Sequence, residues 1–174
     1  NPAQNDAGIT IIGAGAIGSR IFSLLVEQGL QKITVYDPDI VENHNLANQL
    51  YVQSDVGKLK VEGLRKWAAL KYGVDPHSVQ MPGTMHFVAD YVEDCSNLQG
   101  TVFLLVDSLE SRAKLVKSMQ GNYDIPRVID VRMAALHGKV LTFSPHTQLD
   151  QYLATIGSDD DAEVSACGSP YSVA

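Results

Sequence analysis

The chain has 174 residues, with 13 Lys plus Arg against 20 Asp plus Glu, a formal net charge of −7, 45% apolar residues and 19% charged ones. These proportions describe one soluble globular domain and exclude a disordered, collagen-like or disulfide-scaffold chain. At this length folding buries roughly 70% of the surface an extended chain exposes, so the core requires no disulfide or structural metal. The most apolar stretch, Thr101 to Val106, is far short of the ~20 residues that cross a bilayer. With no signal-peptide pattern at the start, no membrane partner and a cytoplasmic location are expected. Cys95 and Cys167 belong to no C-x-x-C pair and read as free thiols. The acidic balance, with Lys and Arg scattered, argues against nucleic acid as the main partner. Small molecules or another protein remain.

Gly8 to Ile12 is a short β-branched run leading into Gly13-Ala-Gly-Ala-Ile-Gly18 and then Ser19 to Gln28. Strand, glycine turn and helix is the natural parse, with Ile17, Ile21, Leu24 and Leu25 at helical spacing and Gly29 as the stop. Lys32 to Tyr36 reads as a second strand ending in Asp37-Pro-Asp39, which completes a βαβ unit. Ile40 to Ser54 is rich in Asn, Gln and His without a period, and is expected to be an irregular loop. A helix is expected from near Asp55 to Gly73, followed by weaker strand or connector segments at Val79 to Met81 and around His86 to Val88. Thr101 to Val106 has the unbroken apolar character of a strand buried on both faces of a parallel sheet. Ser108 to Gln120 reads as a helix capped by Ser108 or Ser111, and Arg127 to Asp130 as another buried strand. The order predicts an α/β fold with a doubly wound, mostly parallel Rossmann-like sheet and helices on both faces. Late strands around Gly138, between Val131 and Phe143, are expected to turn antiparallel. Gln148 to Glu163, polar and acidic with Asp159-Asp160-Asp161, reads as a mobile loop. No internal repeat or domain boundary appears, so residues 1–174 read as a single domain. Its last residues, Cys167-Gly-Ser-Pro-Tyr-Ser-Val, read as the entry to a further element, so a domain truncated at the C-terminus is expected.

Gly13-x-Gly15-x-x-Gly18, placed between strand and helix, lets a backbone approach a phosphate and aims helix N-terminal amides at it. Nineteen positions separate Gly18 from Asp37, near the ~20 expected for an acid that takes a ribose hydroxyl. The residues therefore point to an adenosine nucleotide. Asp107, ending a buried strand at the ligand edge of the sheet, reads either as a metal or water ligand or as the N-cap of the next helix. Lys58 and Lys60 open a helix, where a cation is unfavourable without a nearby anion. On a helix they project about 200 degrees apart, so at most one enters a site. Asn43-His-Asn-Leu-Ala-Asn-Gln49 concentrates amide side chains beside the ribose position.

Asp37-Pro-Asp39, Asn45-Leu46-x-x-Gln49, Gly57-x-x-Lys60 and Asp107-x-x-x-x-Arg112 follow the glycine motif in order. Together they resemble the ThiF/MoeB/HesA adenylation domains, the family that includes the catalytic core of ubiquitin-activating enzymes. The resemblance runs from about Gly8 to near the end of the chain. It implies an adenylyltransferase that binds ATP and magnesium and transfers AMP to the C-terminal carboxylate of a small ubiquitin-like or sulfur-carrier protein. On that resemblance Gly13, Gly15 and Gly18 line the nucleotide site, Asp37 holds the ribose with Asp39 close by, and Asn45, Gln49 and Lys60 serve the phosphates. Asp107 holds magnesium, and Asp107 and Lys60 are the catalytic pair. Cys167 stands where branches of the family place a cysteine that accepts the activated carrier. Arg112 is expected to brace Asp107 or its loop, and Arg132 with Met133 to face the carrier tail. A homodimer or pseudo-dimer is implied for the full-length protein.

The chain also departs from the family. Asn48 occupies the position of an arginine in many relatives, which removes a guanidinium expected near the phosphates. The family's two C-x-x-C zinc pairs are absent, so no zinc is expected. Cys95 reads as non-catalytic, and only His44 among the histidines lies near the proposed site. Two other functions stay open at this point: an NAD-dependent dehydrogenase, which the glycine motif and Asp37 alone fit equally, and an inactive scaffold subunit, which Asn48 keeps in play.

Overall fold

The computed structural model describes residues 8–75, 81, 83–133 and 138–157. Six strands form one sheet in the order β3-β2-β1-β4-β5-β6. They are β1 (Ile9–Ile12), β2 (Lys32–Tyr36), β3 (Thr84–Val88), β4 (Thr101–Leu104), β5 (Arg127–Met133) and β6 (Gly138–Phe143). The first five run parallel and β6 pairs antiparallel with β5. The expected mixed sheet is therefore present. Because β2 and β4 flank β1 on opposite sides, the connections diverge at the carboxyl ends of β1 and β4. A crevice opens at that point in doubly wound sheets.

Successive residues of β1 serve opposite faces: Ile11 joins the core under α1 (Ala16–Glu27) and α2 (Lys60–Tyr72), and Ile12 joins the core under α3 (Leu109–Met119) and α4 (Leu149–Gly157). Phe22, Val26, Leu64 and Ala68 fill the first core; Leu115, Val116, Met119 and Tyr152 fill the second. Both faces of the central strands are thus dry, which is why Thr101–Leu104 carries no polar alternation.

Several boundaries differ from the sequence reading, and the strand expected at Thr101 to Val106 ends at Leu104. α1 starts at Ala16 rather than Ser19, since Gly18 already lies within the helix. The helix expected from Asp55 starts only at Lys60. Gln53–Asp55 is a single 3-10 turn, and Gly57 at φ +83° breaks the path before α2. Lys58 is therefore not on the helix, and its side chain is exposed while Lys60 is buried. β5 continues to Met133. Leu149–Gly157, expected to be mobile loop, is α4: Leu149, Tyr152, Leu153 and Ile156 recur at helical spacing and pack on the second core. Tyr152 stacks on Phe143 with ring centroids 4.2 Å apart. Residues 158–163 lie outside the described residues, as do 79–80 of the expected strand at 79–81.

Arg112 takes a different partner from the one expected. Its guanidinium pairs with the buried carboxylate of Asp130 and donates to the carbonyls of Leu104 and Val131, each at 3.1 Å. It braces the ends of β4 and β5 and leaves Asp107 alone. Arg132 reaches the other oxygen of Asp130 at 2.7 Å, and Tyr152 donates to it at 3.1 Å. Cys95 is fully buried in the second core, accepting a hydrogen bond from Ser118.

The helix–turn packing makes a testable demand. A Cβ added at Gly18 would stand 1.9 Å from the Gly13 carbonyl oxygen, an impossible approach to backbone. Gly18→Ala should therefore destabilise the fold by about 3 kcal/mol, read from urea unfolding. Wild-type stability in that variant would show that α1 does not rest on the glycine turn.

Candidate nucleotide site

The turn after β1 is shaped by close approach. Gly13 adopts φ +101°, and a side chain there would meet the Leu105 carbonyl oxygen at 2.6 Å. The turn is thus drawn against the end of β4. Gly15 differs: no atom lies within 4 Å of where its Cβ would be. It is also the N-cap of α1 and offers no side-chain oxygen, so the first-turn amides are left for another acceptor.

A cleft of about 250 Å³ opens here, lined by Gly15, Asp39, Asn45, Gln49, Lys60 and Asp107, with Ile40, Glu42 and His44 at its wall. Six of the residues singled out in the sequence thus converge from separate segments. Lys60 arrives because the Asp39–Val41 stretch is stitched to residues 57–60. Val41 N–H donates to the Lys58 carbonyl (2.8 Å), Gly57 N–H to the Val41 carbonyl (2.9 Å), and Lys60 N–H to the Asp39 carbonyl (2.9 Å). Its ammonium sits 2.6 Å from Asp39 Oδ2 and 3.8 Å from Asp37 Oδ1. Asn45 ends up in the wall through a 3-10 turn over Asn43–Ala47, where its Oδ1 accepts the Glu42 N–H at 2.8 Å. That fixes the amide and leaves Nδ2 as the end it can offer. Gln49 is buried, and its Oε1 has no partner among the described residues. Asp107 lies beyond β4 with an exposed side chain and makes no ion pair among the described residues. The capping alternative for it fails, because Ser108 caps α3 by accepting the Ser111 N–H at 3.2 Å.

Asp37 is placed otherwise than expected of a ribose ligand. It is absent from the cleft wall and only 5% exposed. Oδ2 accepts the Ala14 N–H at 2.6 Å and Oδ1 the Asp39 N–H at 2.9 Å. Burial raises its pKa above 3.8, opposed by Lys60 and by these two amides. The carboxylate facing the cleft is that of Asp39, whose side chain is 58% exposed. Gly13 and Gly18 likewise shape the turn and its packing, while Gly15 alone of the three borders the open space. Asn48 is exposed and not part of the wall. Next to it, Arg20 of α1 donates to the Gln49 carbonyl at 3.3 Å, a guanidinium the sequence reading did not single out. Glu42 and Tyr51 were missed as well: Glu42 pairs with His44 at 3.2 Å, and Tyr51 donates to the Ala14 carbonyl at 2.7 Å. No local motif marks either of them. Cys167 lies outside the described residues.

Residues 4–168 match the ThiF family. The chain belongs to that family. Among its relatives are the NEDD8-activating enzyme E1 catalytic subunit of Dictyostelium discoideum, 32% identical over 116 residues, and tRNA threonylcarbamoyladenosine dehydratase 1 of Saccharomyces cerevisiae, 28% identical over 124. Each match takes in 64% of this chain but only 25% and 29% of those two proteins, respectively. This ThiF-family chain also shares its fold with E. coli MccB crystallised with ATP, at TM-score 0.64 and 17% identity over 92% of this chain and 51% of that one. E. coli TcdA in complex with AMP superimposes at TM-score 0.61 and 23% identity, covering 76% of this chain and 54% of that one. No helix among the described residues is long and apolar enough to cross a membrane.

The buried Asp37 carboxylate has a signature in stability. Its folded pKa lies above 3.8, so over the interval between the two values the folded chain keeps a proton that the unfolded chain has released. The stability it contributes is full below that interval, is lost as pH rises through it, and is constant above. The wild-type-minus-Asp37→Asn difference in unfolding free energy should accordingly fall with rising pH across that window. A difference independent of pH would mean that the carboxylate is not held away from water.

Proposed function

We propose that this domain binds ATP with magnesium and transfers AMP to the C-terminal carboxylate of a small ubiquitin-like or sulfur-carrier protein. The observation that carries the reading is the convergence of Gly15, Asn45, Gln49, Lys60 and Asp107 on one cleft at the switch point of the sheet. The relatives' names support it, since they include an E1 catalytic subunit and structures holding ATP or AMP.

In the reaction a carboxylate oxygen attacks the α-phosphorus, an acyl–phosphate bond forms, the bond to the β-phosphate breaks, and pyrophosphate leaves. Both reactants are anionic, so the protein has to supply positive charge and aligned dipoles. The uncapped N-terminus of α1 and the Gly15 amide face the phosphates. Asn45 Nδ2 adds a neutral donor, and the unpartnered Oε1 of Gln49 an acceptor for a ribose hydroxyl or a bound water. Asp39, rather than Asp37, presents a carboxylate to the ribose side. Lys60 binds a phosphate in exchange for part of its contact with Asp39.

The cleft holds the carboxylates of Asp39, Glu42 and Asp107 against one lysine, an unfavourable host for a triphosphate by itself. No group of three or more His, Cys, Asp or Glu among the described residues could cage a metal. A lone exposed carboxylate fits magnesium, which takes one or two protein carboxylates and draws its remaining ligands from phosphates and water. Asp107 would hold it, and the ion would supply charge neutralisation at the transferring phosphate. Transfer of the activated carrier to Cys167, and a homodimer or pseudo-dimer as the working unit, belong to the same proposal.

Exchange of labelled pyrophosphate into ATP, stimulated by the carrier, is the direct test. Asp107→Ala should lower exchange about 100-fold or more with an unchanged melting temperature, because the side chain makes no ion pair among the described residues. Retained exchange in that variant removes Asp107 from the mechanism. Nicotinamide reduction without exchange would establish a dehydrogenase, and silence in both assays with intact carrier binding would establish a scaffold.

A further inference from the structure

We propose that Tyr51 is a positioning residue that sets the direction of the Gly15 amide, a donor bordering the cleft assigned to the nucleotide phosphates. The inference rests on the adenylation reading and adds a residue to it that no motif contains. Ala14, between the first two glycines, has both backbone groups held by buried side chains: its N–H donates to Asp37 Oδ2 at 2.6 Å, and its carbonyl accepts from the Tyr51 hydroxyl at 2.7 Å. A trans peptide places its carbonyl and the following N–H on opposite sides of the bond. Tyr51 is 5% exposed, so it draws the Ala14 carbonyl inward, and the Gly15 N–H on the same peptide unit points the other way. That way is the cleft, which Gly15 borders with nothing within 4 Å of its Cβ position.

The ring has a seat made for it. A Cβ on Gly63 of α2 would stand 2.8 Å from the Tyr51 ring, so the missing side chain there is the space the ring occupies. The residues before it are fastened to α1 as well: Leu50 N–H donates to Ser19 Oγ at 3.2 Å, and Arg20 donates to the Gln49 carbonyl at 3.3 Å. Three consecutive residues, 49 to 51, thus tie the amide-rich loop to α1 and the glycine turn. Burial, together with the charges of Asp37, Asp55 and Asp39, keeps the hydroxyl protonated and therefore a donor.

Tyr51→Phe removes the oxygen and keeps the ring in its seat. Loss of one aligned hydrogen bond predicts MgATP binding weaker by about tenfold in calorimetry, a matching rise in KM for ATP in pyrophosphate exchange and an unchanged kcat, with a lower melting temperature because a buried hydrogen bond is lost. It also predicts faster hydrogen exchange in the nucleotide-free protein at the amides of residues 13–15. Equal MgATP affinity and equal amide exchange in the two proteins overturn the proposal, as does a fall of kcat with KM unchanged. Wild-type protein that binds no MgATP overturns the adenylation reading and the positioning role with it. Wild type that binds while the variant binds as well overturns the role of Tyr51 alone.

Discussion

A carboxylate removed from water at the end of β2 is the point on which the rim of this sheet is organised. Asp37 accepts amide hydrogens from Ala14 in the glycine turn and from Asp39 in its own strand's exit, and it lies 3.8 Å from the ammonium of Lys60 at the start of α2. Burying a carboxylate is costly unless it is paired and hydrogen-bonded. Its raised pKa shows burial outweighing the partners it has gathered. The three segments are consequently held in one arrangement: displacing any of them strips a buried charge of an amide donor or of its counter-charge. The cleft is the space left between them.

The chemistry of the cleft follows from what this arrangement spends and what it leaves over. Asp37 is spent on backbone amides, and the Oδ1 of Asn45 on the Glu42 N–H. Left over are the Gly15 amide, Asn45 Nδ2, Gln49 Oε1 and the Asp107 carboxylate, with Lys60 shared at 2.6 Å with Asp39. These are directional groups of both signs, with little preformed positive potential. Under the proposed function, selectivity for a phosphate ester would come from that geometry, and attraction for one from a cation that arrives with it.

A second buried charge secures the opposite side. Asp130 lies between the guanidinium groups of Arg112 and Arg132 and accepts from Tyr152, so α3, β5 and α4 meet at one carboxylate. The Arg132 guanidinium also stands 5.4 Å from the Tyr152 ring centroid. This network leaves Asp107 to the cleft, because the arginine five positions along the chain from it is committed elsewhere. Two buried carboxylates, one on each side of the switch point, thus hold the ends of the strands, and the exposed carboxylate of Asp107 between them lines the cleft.

Much of this was legible in the amino-acid order. The β-branched runs, the glycine turn and the lysine and acids near strand ends follow local rules, because dihedral freedom, hydrophobic period and strand termination are properties of short stretches. The parallel sheet, its late antiparallel turn and the cleft residues Gly15, Lys60 and Asp107 could be read that way, whereas Asp39, Asn45 and Gln49 were picked out by the family resemblance. α4 was hidden because counting polar residues between Gln148 and Glu163 masked the apolar spacing of Leu149, Tyr152, Leu153 and Ile156. Local order alone determined which residues stand at the carboxyl rim. It could not assign them their tasks. Whether an acid there faces a ligand or a backbone amide depends on which donors from distant segments reach it first. Only the packed structure turned Asp37 inward, gave Arg112 to Asp130 and brought the Tyr51 hydroxyl to Ala14, since hydrogen-bond partners remote in sequence leave no periodic trace along the chain.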